Sequence, residues 1–237
     1  MVVNAPVVDV DTTRGPAVEA VDLYRFYHAG DDETLALQGV SLQLDPGEIV
    51  AVTGPSGSGK STLLACLAGL DEPDGGVVRY GPDRMSRRRE AERAALRARH
   101  IGMLFQSGNL LNHLTVEQNI TLAQRLAGRV DHNGARELLA SVGLAERAKA
   151  QPTTLSGGEA ARAGLAVALA NHPTVILADE PTGELDEATA DQLMATLRQR
   201  TRAGAAVLLV THDAAVAAEA DREIRLVDGR IDDGADR

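Results

Sequence analysis

The first segment that could do chemistry is a glycine-rich stretch ending in a lysine and a serine. Residues 54–61 read Gly-Pro-Ser-Gly-Ser-Gly-Lys-Ser and match the pattern G-x-x-x-x-G-K-[ST]. Glycines in such a loop let backbone N–H groups turn toward phosphate oxygens, and the following helix adds the positive end of its dipole. Lys60 supplies a compact charge for the terminal phosphates, and the Ser61 hydroxyl can bind Mg²⁺. We therefore expect the nucleotide to contact Gly54, Pro55, Ser56, Gly57, Ser58, Gly59, Lys60, Ser61 and Thr62.

Lysine is otherwise almost absent, which strengthens this interpretation. The chain has 24 basic residues, and only Lys60 and Lys149 are lysines. A guanidinium fork would not replace the point charge of a lysine well at the terminal phosphates. One of two lysines at this position therefore favours nucleotide binding over an accidental glycine-rich turn.

Two adjacent carboxylates follow an apolar run further along the chain. Residues 174–178 read Thr-Val-Ile-Leu-Ala, and Asp179 and Glu180 come directly after them. A plain solvated strand end is one explanation, but a strand buried on both faces rarely ends in two charges without a polar role. Beside a phosphate loop, Asp179 is placed to hold Mg²⁺. Glu180 is then placed to orient, or take a proton from, the water that attacks the γ-phosphate.

Composition and charge exclude several other classes of protein. The chain of 237 residues carries 34 acidic and 24 basic residues, and its net charge of −10 argues against a nucleic-acid partner. The single cysteine, Cys66, excludes a disulfide framework and is expected in the core. No apolar stretch approaches the roughly 18 residues that a membrane span needs. Residues 1–16 lack a basic start followed by an apolar block, so we expect a flexible lead on a cytoplasmic chain.

The elements that must position these groups alternate between strands and helices, which predicts a parallel sheet covered on both faces. Val18–Leu23 and Val40–Leu44 alternate apolar and polar residues and are predicted to be antiparallel strands. We expect one domain over residues 17–237, with an inserted helical subdomain at about residues 107–170. Further predicted strands are Glu48–Thr53, Ile101–Phe105, Thr174–Ala178, Ala205–Val210 and Glu223–Val227, and predicted helices are Ser61–Gly69, Glu187–Thr201 and Asp213–Ala220. Within the helical segment, helix ends are predicted at Gly128, Gly134 and Gly143.

Residues 155–159, Leu-Ser-Gly-Gly-Glu, resemble the signature of ATP-binding cassette (ABC) ATPases. They stand where that family has them, after the helical segment and before the two carboxylates. Gln106 is similar to the family's Q-loop glutamine, residues 181–186 to its D-loop, and His212 to its switch histidine. The resemblance covers about residues 18–231.

An aromatic residue near the N-terminus completes the family pattern. Tyr27 matches the residue that stacks on adenine, with Tyr24 as the alternative. The chain has only five aromatic residues, three Tyr and two Phe, and three of them lie within residues 24–27. Even core filling does not explain that clustering, so a base-stacking role is favoured.

The resemblance implies a fold and an activity. The fold is α/β: a P-loop NTPase (RecA-like) core with a parallel sheet, an N-terminal antiparallel β-subdomain and an inserted ABC α-helical subdomain. The activity is hydrolysis of ATP with Mg²⁺. The implied catalytic residues are Lys60, Gln106, Glu180 and His212, and the implied metal ligands are Ser61, Gln106 and Asp179.

The resemblance also implies partners. Two subunits of the family pair head to tail, so that each ATP lies between the phosphate loop of one chain and the signature of the other. The residues expected to reach the second copy's nucleotide are Ser156, Gly157, Gly158, Glu159 and Asp186. Separately encoded permease subunits are implied as well, and the chain would meet the inner face of the cell membrane only through them.

Several details resemble one branch of the family, the LolD/MacB/FtsE type. They are the phosphate loop, residues 69–73, residues 110–119, Glu159 and residues 181–183. Members of the branch drive export, lipoprotein release or transmembrane force transmission. The alternatives are a cell-division ATPase that regulates cell-wall hydrolases and a soluble ABC ATPase without a transport role.

Two further features leave their role open. Five residues depart from the family pattern without removing a catalytic group, and they bear on dimer strength and partner docking: Asn112, Ala160, Ala161, Val167 and Glu184. The arginine-rich run Arg84–Arg99 is predicted to form a solvated helix face, with a permease or anionic-lipid contact as the alternative.

Overall fold

Two sheets and the helices around them make up the computed structural model, which describes residues 15–29, 32–107 and 109–232. The predicted flexible lead spans residues 1–16, and residues 1–14 of it lie outside the described residues. The strands are β1 (Val18–Ala29), β2 (Asp32–Leu44), β3 (Ile49–Thr53), β4 (Gly75–Tyr80), β5 (Asp83–Arg84), β6 (Ile101–Leu104), β7 (Val175–Asp179), β8 (Ala206–Val210), β9 (Arg222–Val227) and β10 (Arg230–Ile231). The α-helices are α1 (Lys60–Leu67), α2 (Glu90–His100), α3 (Val116–Leu126), α4 (His132–Ser141), α5 (Gly157–Leu169), α6 (Glu187–Arg202) and α7 (Ala214–Ala218).

The larger sheet has the order β10-β9-β3-β8-β7-β6. Strands β9, β3, β8, β7 and β6 run parallel, and β10 pairs antiparallel with β9 at the edge. Because β3 and β7 are parallel, their carboxyl ends lie at the same edge of the sheet. The predicted α/β class with a parallel sheet is therefore confirmed, and the phosphate loop and the two carboxylates share one edge.

The smaller sheet is antiparallel, with the order β2-β1-β4-β5. Its first two strands are longer than predicted, because the residues beyond Leu23 and before Val40 also pair, across shifts in register that interrupt the alternation of apolar and polar residues. The strands β4, β5 and β10 were not predicted. Two residues, the length of β5 and of β10, show no periodicity, and β4 begins with two glycines, which are not typical of a strand.

Alternating residues of β3 enter two different cores. Val50 and Val52 face α1 and the antiparallel sheet, whereas Ile49 and Ala51 face α5, α6 and α7. All four are fully buried, which accounts for the continuous apolar run of a strand covered on both sides.

A third core holds α3, α4 and α5 together in the segment before β7. Gly128 and Gly143 follow the ends of α3 and α4 with positive φ angles of 80° and 71°, as predicted for helix stops. The helix end predicted at Gly134 is wrong. Gly134 lies in the first turn of α4, where its N–H donates to the carboxylate of Asp131 over 2.9 Å, so the sequence was marking a helix start.

The two sheets are joined directly behind the phosphate loop. Gly229, in the β9–β10 turn, donates its N–H to the carbonyl of Ser58 over 3.0 Å and accepts from Gln38 of β2 over 2.8 Å. A Cβ atom at Gly59 or Gly229 would lie 2.3 or 2.7 Å from the carbonyl oxygen of Ala36. Only glycine allows three chain segments to approach this closely.

Candidate functional site

The phosphate loop runs from the end of β3 into α1. Gly59 precedes the helix with φ 101°, and no side chain caps the first turn. The first N–H groups of α1 therefore remain available to an anion. Lys60 donates from Nζ to the carbonyl oxygens of Gly54 and Pro55 over 2.8 and 2.9 Å, which holds its ammonium group over the loop.

An open cleft of about 660 Å³ surrounds this loop. Seven of the nine predicted loop residues line it: Gly54, Ser56, Gly57, Gly59, Lys60, Ser61 and Thr62. Pro55 and Ser58 do not, and the Ser58 side chain is buried, so any contact from Ser58 would come from its backbone. The other sequence-predicted residues on its walls are Tyr27, Gln106, Asp179, Glu180 and His212.

The two carboxylates at the end of β7 lie in different surroundings. Burial and the neighbouring charge of Glu180 raise the pKa of Asp179, while Lys60 and a hydrogen bond with Ser61 oppose that shift. Glu180 adopts a left-handed backbone with φ 47°, and its N–H donates to the carbonyl of Val210 over 2.9 Å. The strained backbone turns the second carboxylate out of the strand and into the cleft.

His212 is paired with Glu180. Its Nδ1 lies 2.8 Å from Glu180 Oε1, and its backbone N–H donates to Glu180 Oε2 over 3.4 Å. The hydrogen bond and the charge of Glu180 raise the pKa of His212. The imidazole side chain is 74% exposed, so it remains open to a ligand in the cleft.

The three proposed metal ligands converge with a donor set that suits Mg²⁺. Ser61, Asp179 and Gln106 all line the same cleft, and Ser61 lies near enough to Asp179 to act on its pKa. Few protein oxygens, completed by substrate phosphates, are typical of Mg²⁺ sites. Among the described residues no group of three His, Cys, Asp or Glu side chains could hold a metal.

Gln106 is held by two residues that sequence reasoning did not connect to it. Its Nε2 donates to Glu184 Oε1 over 3.4 Å. Asn109 fixes the neighbouring backbone, because its side chain accepts from the N–H of Phe105 over 2.8 Å and donates to the carbonyl of Phe105 over 2.6 Å.

The signature residues do not line this cleft. Ser156 caps α5: its hydroxyl accepts from the N–H of Glu159, whose carboxylate accepts from the N–H of Ser156, over 3.2 and 2.9 Å. Arg147 pairs with the same carboxylate over 2.8 Å. Asp186 caps α6 in the same way, accepting from the N–H of Thr189 over 3.0 Å.

The structure separates the two tyrosine candidates. Tyr27 is 39% exposed and lines the cleft, with the guanidinium of Arg25 4.7 Å from its ring centroid. Tyr24 instead lies over Gly39 and Gly75 of the antiparallel sheet, where a Cβ atom at either glycine would come within 3.3 Å of it.

Four of the five departures from the family pattern line one cavity of about 320 Å³ beside Gln106. The cavity lies between the Q-loop, α5 and the segment before α6, and the four residues are Asn112, Ala160, Ala161 and Glu184. Val167 lies apart from them, on a groove beside α2 and α3.

The arginine-rich run contributes to folding as well as to the surface. Arg93 pairs with Glu72 and Glu90, each within 2.9 Å, and Arg97 donates to the carbonyl of Gly69 over 2.8 Å. These contacts attach α2 to the segment after α1, so part of the run is not a freely solvated face. Cys66 is buried as expected, and burial raises the pKa of its thiol to about 12.

Comparison with known proteins decides the family. The family model described as ABC transporter matches residues 37–183. The chain belongs to the ABC transporter family. The MacB macrolide export ATP-binding/permease proteins of Salmonella choleraesuis (strain SC-B67) and Escherichia coli (strain K12) are 42% and 43% identical over 217 and 219 residues, 90% and 91% of this chain. The aligned region is only 34% of each relative, so the chain spans about one third of their length.

Solved structures give the same result for the fold. The dimeric structure of MJ0796, described as a bacterial ABC transporter cassette, has a TM-score of 0.85 and 35% identity, covering 91% of this chain and 96% of that one. A post-hydrolysis dimer of the same cassette, bound to ADP and Pi, matches equally well. The predicted family, fold class and ABC-type ATPase activity are confirmed. In the part of the chain that the structure describes, every helix is too short or too polar to cross a membrane.

Sequence reasoning missed several residues on the cleft. Thr34, Leu35 and Ala36 of β2 form one wall, and the turn residues Asp228 and Gly229 form another. None of them belongs to a contiguous motif, and the glycine of a short hairpin was the one signal that could have suggested the turn.

Proposed function

We propose that this chain is the ATP-hydrolysing subunit of a membrane export complex and that it dimerises head to tail around two ATP molecules. The observation that carries the proposal is the division of the anion-binding groups. Lys60, Glu180 and His212 share one cleft, while the Ser156 end of α5 lies outside it. In the proposed dimer, the Ser156 end of α5 from a second copy completes the cleft of the first.

In this proposal the chain's own residues perform the hydrolysis. The phosphate loop and Lys60 hold the β- and γ-phosphates, and Tyr27 stacks on the base. Bound Mg²⁺, held by Ser61, Asp179 and Gln106, would offset the negative charge of the phosphates. Glu180 orients the attacking water and accepts its proton, and His212, hydrogen-bonded to Glu180, contacts the γ-phosphate.

The transport role rests on the relatives. MacB proteins are named as combined ATP-binding/permease proteins, and this chain matches only a third of their length. We infer from these names that the chain works with a membrane permease and that the process is export, lipoprotein release or force transmission. Regulation of cell-wall hydrolases remains the second candidate, because the same ATPase cycle could drive it.

The Glu180→Gln variant tests the core of this proposal. Without the carboxylate, water attack slows by at least roughly 100-fold, so ATP persists between two chains and holds them together. Size-exclusion chromatography with multi-angle light scattering, at saturating MgATP, should give a dimer for the variant and no stable dimer without nucleotide. A variant that binds ATP but stays monomeric would contradict the head-to-tail arrangement.

Mixed dimers test the shared site independently. Lys60→Ala and Ser156→Arg chains are each expected to be inactive alone. In an equal mixture about half of the dimers contain one chain of each kind, and each of these has one complete site. Turnover per chain should therefore recover to roughly a quarter of the wild-type value. Failure of the mixture to recover any turnover would contradict a site formed by two chains.

A further inference from the structure

The hydroxyl of Tyr27 is fixed by a carboxylate that lies 44 residues away in the chain. It donates to Asp71 Oδ2 over 2.7 Å. Burial raises the pKa of Tyr27, and the hydrogen bond to Asp71 raises it further, so the phenol stays protonated and donates this bond. The ring is thereby held in one orientation at the wall of the cleft.

One face of the same ring is covered by a cation. The guanidinium carbon of Arg25 lies 4.7 Å from the ring centroid, within the range of a cation–π contact. Arg25 is fixed in turn, since its Nε pairs with Asp71 Oδ2 over 2.8 Å and its Nη1 with Asp74 Oδ2 over 3.0 Å. The Arg25 side chain is only 21% exposed, and its charge is balanced by the two carboxylates.

Asp71 connects this arrangement to the phosphate loop. It lies just after α1, and its Oδ1 accepts from the N–H of Glu72 over 2.9 Å. Burial acts to raise the pKa of Asp71, but hydrogen bonds from Arg25 and Tyr27 hold it below its usual value, so the carboxylate stays charged. Thr62, in the first turn of α1, lies near Tyr27 and acts to lower its pKa, and both residues line the cleft.

We propose that Arg25 and Asp71 are positioning residues that set the Tyr27 ring as a preformed platform for adenine, at a fixed separation from Lys60. The proposal rests on the proposed nucleotide-binding function. It adds which residues prepare Tyr27 to bind the adenine base. Arg25 covers one ring face, and the base stacks on the face exposed to the cleft. A ring already held in place loses less conformational freedom when the base arrives.

The test compares a ligand that has a base with one that does not. Equilibrium binding of ATP and of inorganic tripolyphosphate, both with Mg²⁺, is measured by calorimetry for the wild type, Asp71→Asn, Arg25→Leu and Tyr27→Phe. In each variant the affinity for ATP should fall roughly three- to tenfold, because a stacking contact weakens. The affinity for tripolyphosphate should stay unchanged, since the phosphate loop is untouched. The KM for ATP should rise by the same factor, with kcat within about twofold of the wild type.

A second arginine–aspartate pair provides a matched control. Arg198 pairs with Asp221 over 2.6 Å, and Asp221 also accepts a backbone N–H, from Ile49 over 2.7 Å. Ile49 starts β3, at the sheet edge opposite the phosphate loop, so Asp221→Asn should leave both affinities unchanged.

The outcomes separate this proposal from the proposed function. Unchanged ATP affinity in all three variants overturns the positioning role, and so does an equal loss for both ligands, which would mean general damage to the cleft. Tyr27→Phe retains the ring and the fold, so it decides the matter if the charge variants fail to fold. A wild-type chain that binds neither ligand would instead refute nucleotide binding itself, and the platform with it.

Discussion

Two helices of this chain begin beside a serine and glycines, yet their first turns are in opposite states. At α1 no side chain caps the N–H groups, and the first turn carries no acidic residue. At α5 Ser156 and Glu159 cap each other, and Arg147 neutralises the carboxylate of Glu159. The first end is open to an external anion, whereas the second already holds an anion of its own.

In the proposed head-to-tail dimer, this difference would let the phosphate loop bind nucleotide alone while the signature needs a second chain. The hydrogen bond from Arg147 and the backbone N–H of Ser156 lower the pKa of Glu159, so the carboxylate is charged at the helix end. A helix N-terminus that is satisfied internally gains little from a free anion in solution. We infer that the signature contacts phosphate only when a second chain delivers it already bound at α1.

The largest expected effect comes from removing the charge at the open end. Lys60→Ala deletes the ammonium group that the carbonyls of Gly54 and Pro55 hold over the loop. Loss of charge-assisted hydrogen bonds to the phosphates should weaken ATP binding by at least roughly 100-fold and abolish turnover. Calorimetry checks the affinity, and a phosphate-release assay checks the turnover. Near-normal ATP affinity in this variant would contradict the assignment of α1 as the end that binds alone.

A smaller effect is expected at the closed end. Ser156→Ala removes one half of the capping box and should lower the free energy of unfolding by about 1 kcal/mol. It should also reduce turnover by roughly tenfold, because the serine hydroxyl no longer meets the partner's phosphate, while the affinity of the single chain for ATP stays the same.

The helix α3 offers the matched control for that variant. Thr115 and Gln118 form the same kind of capping box, far from the phosphate loop in the sequence. Thr115→Ala should cost a similar amount of unfolding free energy, measured by urea denaturation, without lowering turnover. Equal losses of turnover in both variants would mean that capping alone, and not contact with nucleotide, explains the effect at Ser156.

The smallest effect concerns a charge pair inside the open cleft. Glu180 raises the pKa of His212 above its ordinary value, so the pair is charged below that pKa and is lost as the pH rises through it. In Glu180→Gln the pKa of His212 should fall back toward its ordinary value, because an amide cannot replace the charge of the carboxylate. NMR titration of the imidazole C–H signals, assigned with a His212→Ala chain, measures the shift. An unchanged or higher pKa of His212 would contradict the charge interaction between Glu180 and His212.

The sequence predicted the parts of the site that are contiguous. The phosphate loop, the carboxylates 179 and 180, and His212 each follow a buried strand of one parallel sheet, so a strand prediction was enough to bring their ends together. The antiparallel strands, by contrast, were predicted too short, because shifts in their register break the alternation of apolar and polar residues.

Contacts between distant residues could not be predicted in the same way. Asp71 and Arg25 are 46 residues apart, and Gln106 and Glu184 are 78 apart. The first contact depends on how β1 and β4 pair and the second on how β6 and β7 pair, which a local pattern does not encode. The error at Gly134 has a related cause, since a glycine accompanies both the starts and the ends of helices and only the Asp131 contact distinguishes them.

The glycine contacts between Ala36, Gly59 and Gly229 limit how the molecule can move. A Cβ atom on Gly59 or Gly229 would come within 2.7 Å of the carbonyl oxygen of Ala36, so the phosphate loop, the β9–β10 turn and β2 lie in direct backbone contact. Strand β2 pairs with β1, and Tyr27 lies opposite Thr34 in that pairing. We therefore expect the separation between Tyr27 and Lys60 to stay nearly constant when the rest of the cleft moves.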